Sequence, residues 1–205
     1  RSTLLEVLFG NAPIKQNVDL YKNISLADYP DLSIYKDITN LIRQTDMYQV
    51  NMEQGVLSKV IHFHPNTPNN KIVFFHKGHG SDYIARLPFV KAMLTDGYDV
   101  VEFSMPLKGI NDQNDLIAYS KGVGPLRIKS HSDFRQLYLD QGLPLKFFIA
   151  PVLNVLELMP KDKPVYMVGI SGGGWTTLLS AALAPQIEKS VSIAGAWPAY
   201  MKSHL

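Results

Sequence analysis

Short apolar runs alternate with helical stripes along most of the chain. Val165 to Val168 is a brief β-branched-rich run, as a strand buried on both faces should be. Trp175, Leu178, Leu179, Ala182 and Leu183 then recur at helical spacing until Pro185 stops the helix. Ser190 to Ala194 reads as a final strand. Upstream, Leu145, Phe148, Ile149, Val152, Leu153, Leu156 and Met159 give the strongest helical stripe, with Pro151 expected to kink it. Lys71–Phe75 and Tyr98–Phe103 read as strands around a helix over 87–96, with Pro88 in its first turn and Gly97 as its stop. Met47–Met52 and Val56–His64 predict an antiparallel hairpin through Glu53-Gln54-Gly55.

This order fits an α/β fold whose mixed sheet becomes parallel. Residues 1–45 read as an N-terminal helical extension. A short helix over Leu4–Phe9 ends at Gly10, and a second places Ile34, Ile38, Leu41, Ile42 and Thr45 on one face. Residues 46–205 would form the main domain. Within it, 104–144 is polar and longer than an ordinary strand–helix connection, which predicts a lid or substrate wall. Lys121, Arg127, Lys129, His131 and Arg135 make that segment locally basic, a pattern whose default reading is a solvated surface.

Composition bounds the partners. With 205 residues, 46% of them hydrophobic, the chain can bury a core of its own. A net charge of +2 calls for neither nucleic acid nor an anionic membrane. The absence of cysteine excludes disulfides, thiolate metal sites and cysteine nucleophiles. No apolar run has the length of a transmembrane span. The chain opens on Arg1, which fits a soluble protein exported with its signal peptide removed, although the compartment is not fixed by the sequence.

The chemistry concentrates at Gly169-Ile170-Ser171-Gly172-Gly173, a G-x-S-x-G pattern between a strand and a helix. A phosphate cradle fits poorly. No Gly-Lys-Ser/Thr follows, Ser171 replaces the second glycine of a dinucleotide fingerprint, and Glu188 is read as preceding the next strand. A strand-to-helix turn would instead lift a serine hydroxyl above the sheet and aim the first helical amides at it.

Here the sequence resembles the α/β-hydrolase superfamily. Gly169-Ile170-Ser171-Gly172-Gly173-Gly174-Trp175 is similar to the nucleophile elbow of a group of bacterial serine esterase- and lipase-like hydrolases. The resemblance implies a mostly parallel sheet flanked by helices, here running through the sixth strand of an eight-strand pattern. It also implies Ser171 as nucleophile and an oxyanion hole built from Gly172 with Lys77, Gly78 or His79 of the His76-Lys77-Gly78-His79-Gly80 loop. Family order puts the triad acid and histidine after the serine. The residues after Ser171 hold one acid, Glu188, and one histidine, His204, and neither is suitably placed. The resemblance therefore implies that both partners lie beyond Leu205, and that a further segment or partner covers the 190–194 strand edge. Trp197 and Tyr200 would line a substrate pocket or cap the core.

Two other histidine groups compete for attention. His62 and His64 share one face of a strand, and an H-x-H pair can hold a metal. The pattern supplies no further ligand, so the pair reads as two histidines on a half-exposed strand, and no metal or cofactor is assigned. His131-Ser132-Asp133 is triad-like only by adjacency, whereas triads assemble from distant loops. The expected function is hydrolysis of small carboxylic esters, acylated sugars included, through an acyl-Ser171 intermediate. The alternative is a non-catalytic α/β-hydrolase-like binding or interaction protein.

Overall fold

The structure, a computed structural model, describes residues 1–11, 14–79, 83–114, 116–120 and 124–195. Nine strands are described: β1 (Asn17–Tyr21), β2 (Ile42–Asn51), β3 (Leu57–Pro65), β4 (Ile72–His76), β5 (Asp99–Phe103), β6 (Ile117–Ser120), β7 (Gly124–Arg127), β8 (Val165–Ile170) and β9 (Ile187–Ile193). The described α-helices are α1 (Ser2–Phe9), α2 (Tyr83–Thr95), α3 (Lys146–Leu158) and α4 (Gly172–Leu183). Seven strands form the main sheet in the order β1-β2-β3-β5-β4-β8-β9, and β6 and β7 pair separately. β1, β2 and β3 are antiparallel, while β5, β4, β8 and β9 run parallel.

Alternation along the strands divides the core between two faces. Ile72 and Phe74 of β4 pack with Val101, Phe103 and Met167 against α1 and α3. Val73 and Phe75 turn the other way, with Val100, onto Val90 and Leu94 of α2. All five residues of β4 are buried, which is why that strand reads as an uninterrupted apolar run. α2 crosses from β4 outward to β5, whereas the next crossover returns past β4 to β8. The carboxyl ends of β4 and β8 therefore flank a topological switch point, where crevices form in open α/β sheets.

Several expectations change. The stretch expected as a helix over 34–45 is a 3-10 segment, Pro30–Leu41, followed by β2, in which Ile42 and Thr45 lie. Its buried residues Leu32, Tyr35 and Ile38 recur every third position, the 3-10 period rather than the α period. β1 lacks a strong apolar pattern because it lies at the sheet edge with no fully buried residue. Residues 1–45 contribute to both faces, through Leu8 and Phe9 on one and Leu32, Tyr35 and Ile38 on the other. Pro88 sits inside α2, which begins at Tyr83, rather than in its first turn. β9 begins at Ile187, so Glu188 lies within the strand and does not precede it. The 104–144 segment holds the β6–β7 hairpin and two 3-10 turns, and Ala118, Ile128 and Phe134 anchor it in the core.

A charged cluster holds α2, β5 and the loop after β4 together. Arg86 pairs with Glu102, Tyr35 donates to Glu102, Arg86 Nε donates to Tyr35 Oη at 2.6 Å, and Lys77 Nζ lies 3.6 Å from Glu102. Burial alone would raise the Glu102 carboxyl, but Arg86 and Lys77 hold it below the ordinary range. Burial also pushes the Lys77 ammonium down and the Tyr35 phenol well up. Removing one member leaves the others charged and dry. Glu102→Ala should therefore cost about 3–5 kcal/mol in urea unfolding. A loss below about 1 kcal/mol would show that the cluster does not hold these elements.

Candidate active site

At the carboxyl end of β8 the backbone turns abruptly into α4. Ser171 has φ 56° and ψ −125°, a region that side-chain-bearing residues rarely adopt and that costs about 1–3 kcal/mol. Its N–H donates to Ile193 O at 2.8 Å, which ties the turn to β9. The Ser171 side chain is exposed. Close backbone packing explains the neighbouring glycines. A Cβ on Gly169 would lie 2.1 Å from Gly173 O, and one on Gly173 would lie 2.1 Å from His76 O.

The same packing corrects the reading of α4. Its buried face is small and polar, Gly173, Gly174, Thr176, Thr177 and Ser180 with Leu183, while Leu178 is 46% exposed. The leucine stripe does not mark the buried face because the helix lies too close to the sheet for large side chains.

The loop after β4 packs directly on the turn. Gly78 has φ 70°, and its absent Cβ would sit 2.2 Å from Ile170 O and 3.3 Å from Gly172 N. Of the three amides expected from this loop, two are engaged. Lys77 N–H donates to Phe103 O at 3.2 Å, and Gly78 N–H donates to His76 Nδ1 at 3.2 Å. His79 N–H makes no hydrogen bond among the described residues. Gly172 N–H starts α4 and, like every first-turn amide, has no acceptor within the helix. The structure thus brings Ser171, Gly172, Lys77, Gly78 and His79 together and leaves the amides of Gly172 and His79 available.

Over this turn lie two coupled imidazoles. His79 Nε2 is 2.9 Å from His131 Nδ1, and His131 Nε2 faces Pro106 O. A carbonyl only accepts, so His131 carries its proton on Nε2 and accepts on Nδ1 from His79 Nε2–H. His79 Nδ1 is then left with a lone pair, and it lies 2.7 Å from where a Gly172 Cβ would stand. Burial lowers the basicity of both rings, and the Lys108 charge adds to the effect, keeping them neutral near pH 7.

Beside the turn is a cavity of about 580 Å³, lined by His79, Met105, His131, Phe134, Phe148, Gly172 and Trp175 among others. Phe148 meets Trp175 and His131 edge-on, with ring centroids 6.0 and 4.9 Å apart. The wall is thus mostly apolar, with Leu143, Pro144 and Leu145 beside the rings, and carries one charged residue, Arg135. A second cavity, about 670 Å³, lies near the other end of α4 against Leu183 and Ala184, and none of the candidate site residues lines it.

Trp197 and Tyr200, expected in a pocket, and His204 lie outside the described residues. Asp133 accepts from the amides of Lys129 and Ser130, so it caps its own turn and does not act with His131 as a triad acid. Met105 was not legible as a site residue, since it reaches the elbow only through long-range packing, whereas His131 stood out in the sequence but its contact with His79 did not. His62 and His64 lie at the opposite end of the sheet from Ser171, and His62 is buried rather than half-exposed.

No family model and no curated protein matches the sequence. Solved structures do match. Acetyl xylan esterase 1 from Thermoanaerobacterium sp. aligns over 93% of this chain and 55% of its own, at 19% identity and TM-score 0.57. The acetyl xylan esterase from Paenibacillus sp. R4 aligns over 99% and 60%, at 13% and 0.58. A Pyrococcus furiosus esterase aligns over 82% and 56%, at 15% and 0.51. Such likeness shows the fold, which is the α/β-hydrolase fold. The chain spans little more than half the length of these proteins.

His76 locks the loop to the turn. Burial, with the charges of Lys77 and His79, pushes its imidazole down to about 3. The folded protein therefore leaves His76 neutral at pH values where the unfolded chain binds a proton. Its contribution to stability is complete above about pH 6.5 and is lost as pH falls toward 3. Between about pH 6 and 4, wild-type unfolding free energy should fall about 1 kcal/mol per unit more steeply than that of His76→Gln. Equal slopes in urea titrations would show that His76 accepts its proton while folded.

Proposed function

We propose that this chain carries the nucleophile of a serine hydrolase acting on carboxylic esters. The observation that carries the reading is the exposed Ser171, held at φ 56° at the start of α4, where the Gly172 amide has no acceptor within the helix. Ser171 Oγ attacks the ester carbonyl carbon, and the carbonyl oxygen takes up the developing charge. Gly172 N–H and His79 N–H face that oxyanion. The C–O bond to the alcohol breaks, the alcohol leaves with a proton, and an acyl-Ser171 ester remains. Water then attacks this ester, releasing the acid and restoring the serine.

The acyl group occupies the cavity at Phe148 and Trp175. Its mostly apolar wall favours an uncharged acyl group. Since two similar structures are named acetyl xylan esterases, acetylated sugars are the first substrates to test. No metal or cofactor enters this scheme.

A serine hydroxyl needs a base to be a competent nucleophile. We assign that base, and the carboxylate that orients it, to a segment beyond Leu205. β9 supports this assignment, since it forms the sheet edge among the described residues with Val191 53% and Ile193 45% exposed. A further parallel strand would cover it.

A specific observation favours a second source of the base, the His79 Nδ1 lone pair beside Gly172. The two assignments separate experimentally. Hydrolysis of p-nitrophenyl acetate is measured for this chain and for a product extended beyond Leu205. The extended protein should turn over, and Ser171→Ala should reduce kcat by about 10⁴-fold or more with an unchanged melting temperature. Turnover by the short chain that disappears in His79→Ala would assign the base to His79. Turnover that survives Ser171→Ala would eliminate the serine mechanism. No turnover in any form, with acylated sugars still bound, would favour the non-catalytic binding protein.

A further inference from the structure

At the end of the sheet remote from Ser171, three side chains turn their polar atoms toward one point. His62 Nε2 lies 3.2 Å from Asp99 Oδ1, His64 Nδ1 lies 2.8 Å from the same oxygen, and all three atoms fall within 4.8 Å of one another. The strand register produces this meeting. Phe63 pairs with Val100, so the next step sets His64 opposite Asp99, and His62 lies two residues back on the same face. On the far side of β3, Asp46 of β2 pairs with His62.

We propose that His62, His64 and Asp99 form a binding site for a divalent transition-metal ion of the zinc class. Two imidazole nitrogens and one carboxylate oxygen are the donor set and number that such an ion takes while keeping one position for water. The outward atoms of each residue already have partners, as those of metal ligands do. His64 Nε2 contacts Asp46 Oδ2 at 3.1 Å, and Asp46 is fixed in turn by Asn23 N–H and the Gln44 amide. His62 Nδ1 faces Tyr48 Oη at 3.4 Å. Asp99 Oδ2 accepts from Lys163 Nζ at 3.0 Å, which leaves Oδ1 for the ion.

Charge points the same way. Among the described residues, the carboxylates of Asp46 and Asp99 outweigh the ammonium of Lys163 beside them, so the cluster attracts a cation. The side chains of His62 and Asp99 are 6% and 4% exposed, whereas His64 is 18% exposed and offers the route of entry. An ion here would join β3 to β5 far from the proposed nucleophile, a structural role rather than a catalytic one.

The alternative is a cluster held by hydrogen bonds alone. The purified protein, dialysed against a chelator, is titrated with Co²⁺ and separately with Zn²⁺. The expected result is one ion per chain, the visible absorption of four-coordinate Co²⁺, and a melting temperature raised by Zn²⁺. His62→Gln and Asp99→Asn should lose the absorption. A wild-type protein showing neither absorption nor a thermal shift would overturn the site, whatever the variants do. Absorption that persists in both variants would place the ion elsewhere and overturn it equally.

Discussion

Gly173 lies so near the His76 carbonyl that a single added methyl would stand 2.1 Å from the oxygen. That approach is the constraint on which the candidate site depends. Because Gly169, Gly173 and Gly78 carry no side chain, β8, α4 and the loop after β4 meet backbone to backbone. Contact this close holds the intervening residue, Ser171, in its strained conformation and sets the His79 ring against Gly172. Strain of this kind persists only where the surroundings over-determine it. Here Ile193 O, Gly78 and the buried face of α4 do so.

Electrostatics hold the loop from behind. Lys77, one residue before Gly78, reaches into the Glu102–Arg86–Tyr35 cluster, while its amide is bound to β5 and the Gly78 amide to His76. Two of the three loop amides are thus consumed in fixing the loop, and the His79 amide makes no hydrogen bond among the described residues. The sheet keeps its two polar clusters apart. One joins α2, β5 and the loop after β4; the other joins β2, β3 and β5 at the opposite end.

The sequence made local and periodic features legible. Six of the seven main-sheet strands, α1, α3 and the strand–turn–helix around Ser171 follow from apolar runs and glycine placement. The features that escaped are set by tertiary contact. Leu178 looked like core because helical spacing does not report how near a helix lies to its sheet. Leu32, Tyr35 and Ile38 carry a three-residue period that is easily taken for a helical one. β1, at the edge and without a fully buried residue, has little pattern to read. At the site, the loop was identifiable, but which of its amides are already engaged was not, since the bonds made by the Lys77 and Gly78 amides are not reported by spacing along the chain. The aspartates beside His62 and His64 come from other strands and are invisible to spacing along the chain.

The central claim is that Ser171 is a nucleophile poised by this backbone. Its most direct test is to treat the protein extended beyond Leu205 with an alkyl fluorophosphonate, then digest it and map the adduct by mass spectrometry. The account predicts one phosphonyl group, on Ser171 Oγ, absent from Ser171→Ala and from protein unfolded before treatment. An unmodified Ser171, or labelling of another serine at the same rate, would contradict it.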